Sequence, residues 1–223
     1  MEESDLKTQN KQKVQEFKTF PVPLGIADKS ETINLSKNIL IEDSKTNIIN
    51  QALKFHEQGK VLEAVKAYQF CLDQDFNEPR IFSNYGILLI DLNKYIEAEN
   101  LLRKAIQLKP DYAIAHTNLG SLLIKIGKSN EAKSSLQKAI ELNPDYAIAH
   151  ANLGDALRSL NELKKAELSL QKAIELNPNY ANAHSNLGGI LRDLGNLKEA
   201  KISMRKAIEI NPNYANAHSN LGG

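Results

Sequence analysis

The chain has no tryptophan, two methionines and a single cysteine, Cys71, among 223 residues. One cysteine excludes an internal disulfide. Neither sign of charge dominates: 28 Lys and Arg face 27 Asp and Glu, a formal net charge of +1. That balance argues against a general nucleic-acid binder, which carries a basic excess or stripe. No window approaches the roughly eighteen consecutive apolar residues of a membrane span. The opening segment, Met1 to Asn10, lacks the basic start and apolar stretch of a secretory signal. A cytoplasmic location is expected from this lack of any address. There is no glycine loop suited to cradling a phosphate, and Gly188-Gly189 falls inside a helical pattern. No cofactor is expected.

What is present is a period. Pro-Asp-Tyr-Ala-Ile-Ala-His occurs at Pro110–His116 and again at Pro144–His150. Pro178–Gly189 is repeated letter for letter at Pro212–Gly223, and Leu136–Pro144 at Leu170–Pro178. Every offset is 34 residues. A fixed period of this length marks a repeat architecture. The register predicts units at 45–78, 79–112, 113–146, 147–180 and 181–214, with a partial sixth at 215–223.

Within Ala147–Tyr180, Ala149, Leu153, Ala156, Leu157 and Leu160 recur at helical spacing, and so do Leu163, Ala166, Leu170, Ala173, Ile174 and Leu176. Asn161-Glu162 separates the two stripes. Asn177-Pro178 ends the second, because proline cannot continue a helix and drives the residue before it extended. Each unit is therefore expected to be helix, turn, helix, turn. Gly86, Gly120, Gly154 and Gly188 recur in the first helix despite a cost of about 1 kcal/mol each relative to alanine. Close approach to the second helix, which carries Ala98, Ala132, Ala166 and Ala200, explains them. Gly59, Gly127 and Gly195, with Asn93 and Asn161, occupy the turn between helices, where a left-handed residue is expected. One hairpin cannot bury its own apolar faces, so stacked hairpins are expected to supply the core. The fold class is all-α, an α-solenoid of antiparallel helix-turn-helix repeats.

Leu153-Gly154, Leu157, Ala166, Leu170, Ala173 and Pro178 resemble the signature of the tetratricopeptide repeat. The resemblance covers residues 45–223 and implies a right-handed superhelix whose concave face holds a protein or extended peptide. The first unit departs from it, with Gln51-Ala52 for Leu-Gly and Phe76 for proline. The Ala-His-x-Asn-Leu-Gly wording is similar to the repeats of O-linked N-acetylglucosamine transferases. That resemblance implies an asparagine ladder gripping a polypeptide backbone, here Asn50, Asn84, Asn118, Asn152, Asn186 and Asn220.

A helical wheel with about 100° per residue puts the sixth residue of each unit opposite the apolar face. That residue is always asparagine, although asparagine is a mediocre helix former. Its amide offers donors and an acceptor to a peptide's own C=O and N–H. Two other readings stay open: bonding to the neighbouring repeat, and inert copying by duplication. The rest of the face runs from apolar (Leu53, Ile87, Ile90, Ile114, Ile124) to polar (Asp155, Arg158, Asn182, Arg192, Asp193). The candidate binding residues are the six asparagines with Ile87, Ile114, Asp155, Arg158, Asn182 and Arg192. An apolar part of the ligand is expected near the N-terminal end, unless these side chains pack against the arm.

His116, His150, His184 and His218 come one per unit, too far apart to share a metal ion, and a packing role is expected instead. Cys71 stands where other units have alanine and is expected to be a buried thiol. Serines and histidines fill repeated slots, so no catalytic arrangement can be argued. Residues 1–44 are read as a flexible polar arm. The chain stops inside a first helix without a cap, so continuation in a longer protein is expected. Ile202, Ile210 and Leu221 are expected to be left partly uncovered there, open to self-association. Two functions compete: an adaptor that assembles proteins, and the substrate-recruiting part of a glycosyltransferase or sulfotransferase whose catalytic domain lies elsewhere. No catalytic residue is expected within this chain in either case.

Overall fold

The computed structural model describes the backbone of residues 31–212 and the side chains from residue 44 onward. The described residues form ten α-helices and no strand. First helices are α1 (Glu31–Glu57), α3 (Pro79–Asp91), α5 (Ala113–Lys125), α7 (Ala147–Ser159) and α9 (Ala181–Asp193). Second helices are α2 (Val61–Asp73), α4 (Tyr95–Leu108), α6 (Ser129–Leu142), α8 (Leu163–Leu176) and α10 (Leu197–Ile210). The fold is an all-α solenoid. The partial unit at 215–223, with His218, Asn220 and Leu221, lies outside the described residues.

α1 is the irregular member. It begins at Glu31 and so takes in residues 31–44, which the sequence reading assigned to a flexible arm. Between Ile26 and Gln58 there is neither proline nor glycine to interrupt a helix.

The punctuation has a local cause at every joint. Asn93, Gly127, Asn161 and Gly195 all have φ between +58° and +83°, the left-handed conformation that reverses the chain after a first helix. The amide of Lys128 then bonds back to Leu123 O at 2.8 Å, and that of Glu162 to Leu157 O at 2.9 Å. At the other joint, Lys109, Asn143, Asn177 and Asn211 are extended, with ψ near 90°, because each precedes a proline. The first unit has no proline there, and Asp75 at φ 53° makes its turn instead.

Within a hairpin the two helices meet over glycine. A Cβ built on Gly120 would stand 2.5 Å from Leu136 Cγ, and one on Gly154 would stand 2.6 Å from Leu170 Cγ. Leu102, Leu136 and Leu170 are wholly buried in consequence. The first hairpin solves the same joint with aromatics. Tyr68 replaces leucine, stacks on Tyr85 at 5.4 Å between ring centroids, and meets His56 Nδ1 through its hydroxyl at 3.1 Å.

Each first helix from α3 onward packs on both helices of the preceding hairpin, so α1, α3, α5, α7 and α9 touch in succession. The backbones of successive second helices do not meet. Long charged side chains span that gap, Arg103 to Glu131 at 3.0 Å and Lys133 to Glu162 at 2.7 Å. A layer whose neighbours touch is the shorter arc, and a layer whose neighbours splay is the longer one. First helices therefore line the inner curve. Leu168 and Ile202, 66% and 68% exposed, lie on the outer layer. They are one period apart, so the exposure of Ile202 belongs to its position in the repeat and needs no uncovered end to explain it. Ile210 is half-buried.

Candidate functional site

The asparagines at the sixth position of α3, α5, α7 and α9 are half-buried along the seam between first helices, and Asn50 on α1 is exposed. They are not equivalent. Asn118 Nδ2 donates to Ser83 Oγ, one repeat back, at 2.9 Å. Asn186 has no hydroxyl at the matching place, which holds Ala151, and turns instead to Asp155 Oδ1 at 2.6 Å. Its second N–H reaches Asn182 Oδ1 at 3.2 Å. Among the described residues, Asn84 and Asn152 make no side-chain hydrogen bond. The seam thus holds two amides committed to the preceding repeat and two that are not.

The structure gathers Asp155, Arg158, Asn182, Asn186 and Asp193 where α7 meets α9. Arg158 reaches across the repeat to Asp193, with Nε and a terminal nitrogen on Oδ2 at 2.9 and 2.6 Å. Gly189 makes room for it, since a Cβ there would stand 2.9 Å from the guanidinium. Arg192 lies at the rim, its Nε 3.8 Å from Asp193 Oδ1. Asp155 is left with the Asn186 amide as its partner among the described residues. Burial pushes its carboxyl up to about 6, and the nearby charge of Arg158 only partly opposes this.

The apolar half is less uniform than the sequence suggests. Ile114 is 42% exposed, Leu53, Ile87 and Ile124 are half-buried, and Ile90 joins the core. Ile90 is therefore not a surface residue. Asn50 lines a separate depression of about 490 Å³ with Gln51, Lys54, Phe55, Gln58 and Lys60. Asn220 lies outside the described residues.

The histidines have a bond that the packing role did not anticipate. His116, His150 and His184 each place Nε2 2.9–3.0 Å from the carbonyl oxygen of the proline six residues earlier. A carbonyl only accepts, so the ring proton sits on Nε2. Each histidine ties the inter-repeat turn to the start of the next helix. His150→Ala is expected to lower stability by about 1 kcal/mol, and His150→Gln to recover part of it, both read by urea unfolding. Cys71 is buried, and that burial pushes its thiol up to about 11, a poor state for a nucleophile.

Sequence reasoning missed the residue before each asparagine. Ser83, Thr117 and Ser185 are the buried polar side chains of the described region. Thr117 bonds to Ala113 O at 2.9 Å within its own helix. A hydroxyl recurring beside the asparagine was the available signal.

Comparison with known proteins agrees with this architecture. A TPR repeat model matches residues 86–127, 120–157 and 154–191, and a tetratricopeptide repeat model matches 181–214. The curated relative Hha toxicity modulator TomB of Escherichia coli (strain K12) is 36% identical over 77 residues. The match takes in 34% of this chain and 57% of that protein, so the chain spans little more than half the relative's length. Among solved structures, MamA is 29% identical with a TM-score of 0.61, over 74% of this chain and 96% of MamA. YrrB, described as a TPR protein with an unusual peptide-binding site, is 24% identical with a TM-score of 0.60, over 86% of this chain and 98% of YrrB. The YrrB likeness bears on the fold alone.

Proposed function

Because the chain belongs to the tetratricopeptide repeat family, with matches running over residues 86–214, we propose that it is a protein-interaction scaffold holding an extended polypeptide along its inner curve. The carrying observation is the row of sixth-position amides at the seam between first helices, two of them without a partner among the described residues. An unpaired amide offers a donor pair and an acceptor to a peptide backbone. Its cost to the helix is a few tenths of a kcal/mol, which a binding role explains and a packing role does not. The resemblance to the repeats of O-linked N-acetylglucosamine transferases supports the same reading. Ile87 and Ile114 would meet an apolar part of the ligand, and Asp155, Arg158, Asn182 and Arg192 a polar part.

The two kinds of asparagine give the test. Asn84→Ala with Asn152→Ala is expected to weaken binding of a display-selected extended peptide about tenfold, with stability within about 0.5 kcal/mol of wild type. Asn118→Ala strands the buried Ser83 hydroxyl and is expected to cost about 1–2 kcal/mol of stability. Fluorescence anisotropy and urea unfolding read the two effects. Unchanged affinity in the Asn84/Asn152 double variant, with the fold intact, would remove the ladder from the account.

A further inference from the structure

We propose that Asp155 and Asn186 form a seat for one cationic side chain, lysine or arginine, of a bound polypeptide; this deepens the groove reading above and rests on it. The argument begins with which lone pairs have donors. An ionised carboxylate accepts and cannot donate, so Asn186 must turn its NH2 toward Asp155. Both amide hydrogens are then used, one on Asp155 Oδ1 and one on Asn182 Oδ1. The carbonyl oxygen of Asn186 therefore faces away from both. Among the described residues neither that oxygen nor the second oxygen of Asp155 has a donor, and neither is sealed from solvent. Two adjacent acceptors without a donor among the described residues fit a ligand rich in N–H.

The local charges explain why the ligand should be a cation. Arg158 on α7 is the nearby positive group whose field reaches Asp155, yet its guanidinium is bonded across the repeat to Asp193 on α9. Gly189 holds it there by offering a bare backbone for the guanidinium to lie against. Arg192, also on α9, lies beside the same Asp193. Both arginines thus sit against Asp193, and Asp155 has no guanidinium in contact. A neutral asparagine at 155 would accept from Asn186 equally well without carrying a poorly solvated charge. A carboxylate that packing does not need is explained by what it would bind. An ammonium or guanidinium placed there would form a charge-assisted bond with Asp155 and an ordinary one with Asn186 Oδ1.

The experiment uses the full chain, 15N-labelled, at pH 7.5. The probes are N-acetyl-lysine methylamide and its uncharged analogue, N-acetyl-norleucine methylamide. The lysine probe is expected to move the Asn186 side-chain amide resonances saturably, and the norleucine probe to leave them in place. Asp155→Asn should abolish the shift. Gly189→Ala, which crowds the Arg158 guanidinium off its place beside Asp193 without changing any charge, should weaken it severalfold. In a second arm, a twelve-residue Gly/Ser/Thr peptide with a central lysine is expected to bind about tenfold tighter than its norleucine version. That preference should vanish in Asp155→Asn and shrink between pH 7.5 and pH 5, where Asp155 gains its proton. A shift with lysine probe but no binding of either peptide would uphold the seat and sink the groove. Equal binding of the two peptides, with no probe shift, would sink the seat and leave the groove standing. A shift that survives in Asp155→Asn also overturns the seat.

Discussion

Gly120→Ala is expected to destabilise the array by about 2 kcal/mol, although alanine is the better helix former by about 1 kcal/mol. The cause is steric. The new Cβ would stand 2.5 Å from Leu136 Cγ and 2.8 and 3.1 Å from its two methyl carbons. The whole isobutyl group is in the way, and Leu136 is fully buried with nowhere to swing. Leu136→Ala should cost about 3 kcal/mol by opening a cavity at the same joint. The two together should not add. Alanine at 120 partly fills the space that Leu136 leaves, so the double variant is expected to lose about 3 kcal/mol rather than about 5. Gly188→Ala tests the same joint in another repeat, where the new Cβ would stand 2.6 Å from Met204 Cγ and 3.1 Å from the fixed carbonyl oxygen of Ala200, and a comparable loss is expected. Urea unfolding of the four variants gives the coupling directly. Additive losses at 120 and 136 would mean that the hairpin joint is looser than its geometry implies. The first repeat already shows the trade, pairing Ala52 with the flat ring of Tyr68 where later repeats pair glycine with leucine or methionine.

That joint was legible in the sequence, and the reason separates what could be read from what could not. A glycine recurring inside a helix has few explanations, although the side chain that meets it is the leucine or methionine sixteen residues on and not the alanine that the sequence placed at the close approach. The turns were legible on the same ground, since Asn161 and Gly195 share one left-handed place and each proline forces its predecessor extended. The site was legible only as a face. Whether Asn118 meets Ser83, or Asn186 meets Asp155, depends on how one first helix is set against the next, at a separation of 35 or 31 residues. A wheel drawn for one repeat holds no such information. Ile90 illustrates the same limit, for the wheel puts it on the exposed face while the fold buries it. The length of α1 was obscured differently. Residues 31–44 carry no repeat signature, so the period ends well inside the helix and does not mark its start.

Asp155→Asn is expected to raise stability by about 2 kcal/mol at pH 7.5, against the usual direction for a substitution in a half-buried place. Asp155 is well desolvated, and the cation nearest it is bonded elsewhere, so the folded state holds its charge at a cost. Burial moves its carboxyl from the ordinary value of 3.8 to about 6. Between those values the folded chain binds a proton that the unfolded chain has released. Stability from this group is thus fully present below about 3.8 and is lost as pH rises through about 6. Wild type should gain stability from this group on acidification from pH 7 to pH 4, while Asp155→Asn should show a flatter profile over the same interval. The asparagine keeps an acceptor for Asn186, so the gain is not offset by a stranded amide. Urea unfolding at half-unit steps of pH, with both proteins in parallel, measures the difference. A variant less stable than wild type at pH 7.5 would show that the carboxylate serves the packing of α7 on α9. A more stable one would show a charge that folding does not need and holds at a cost.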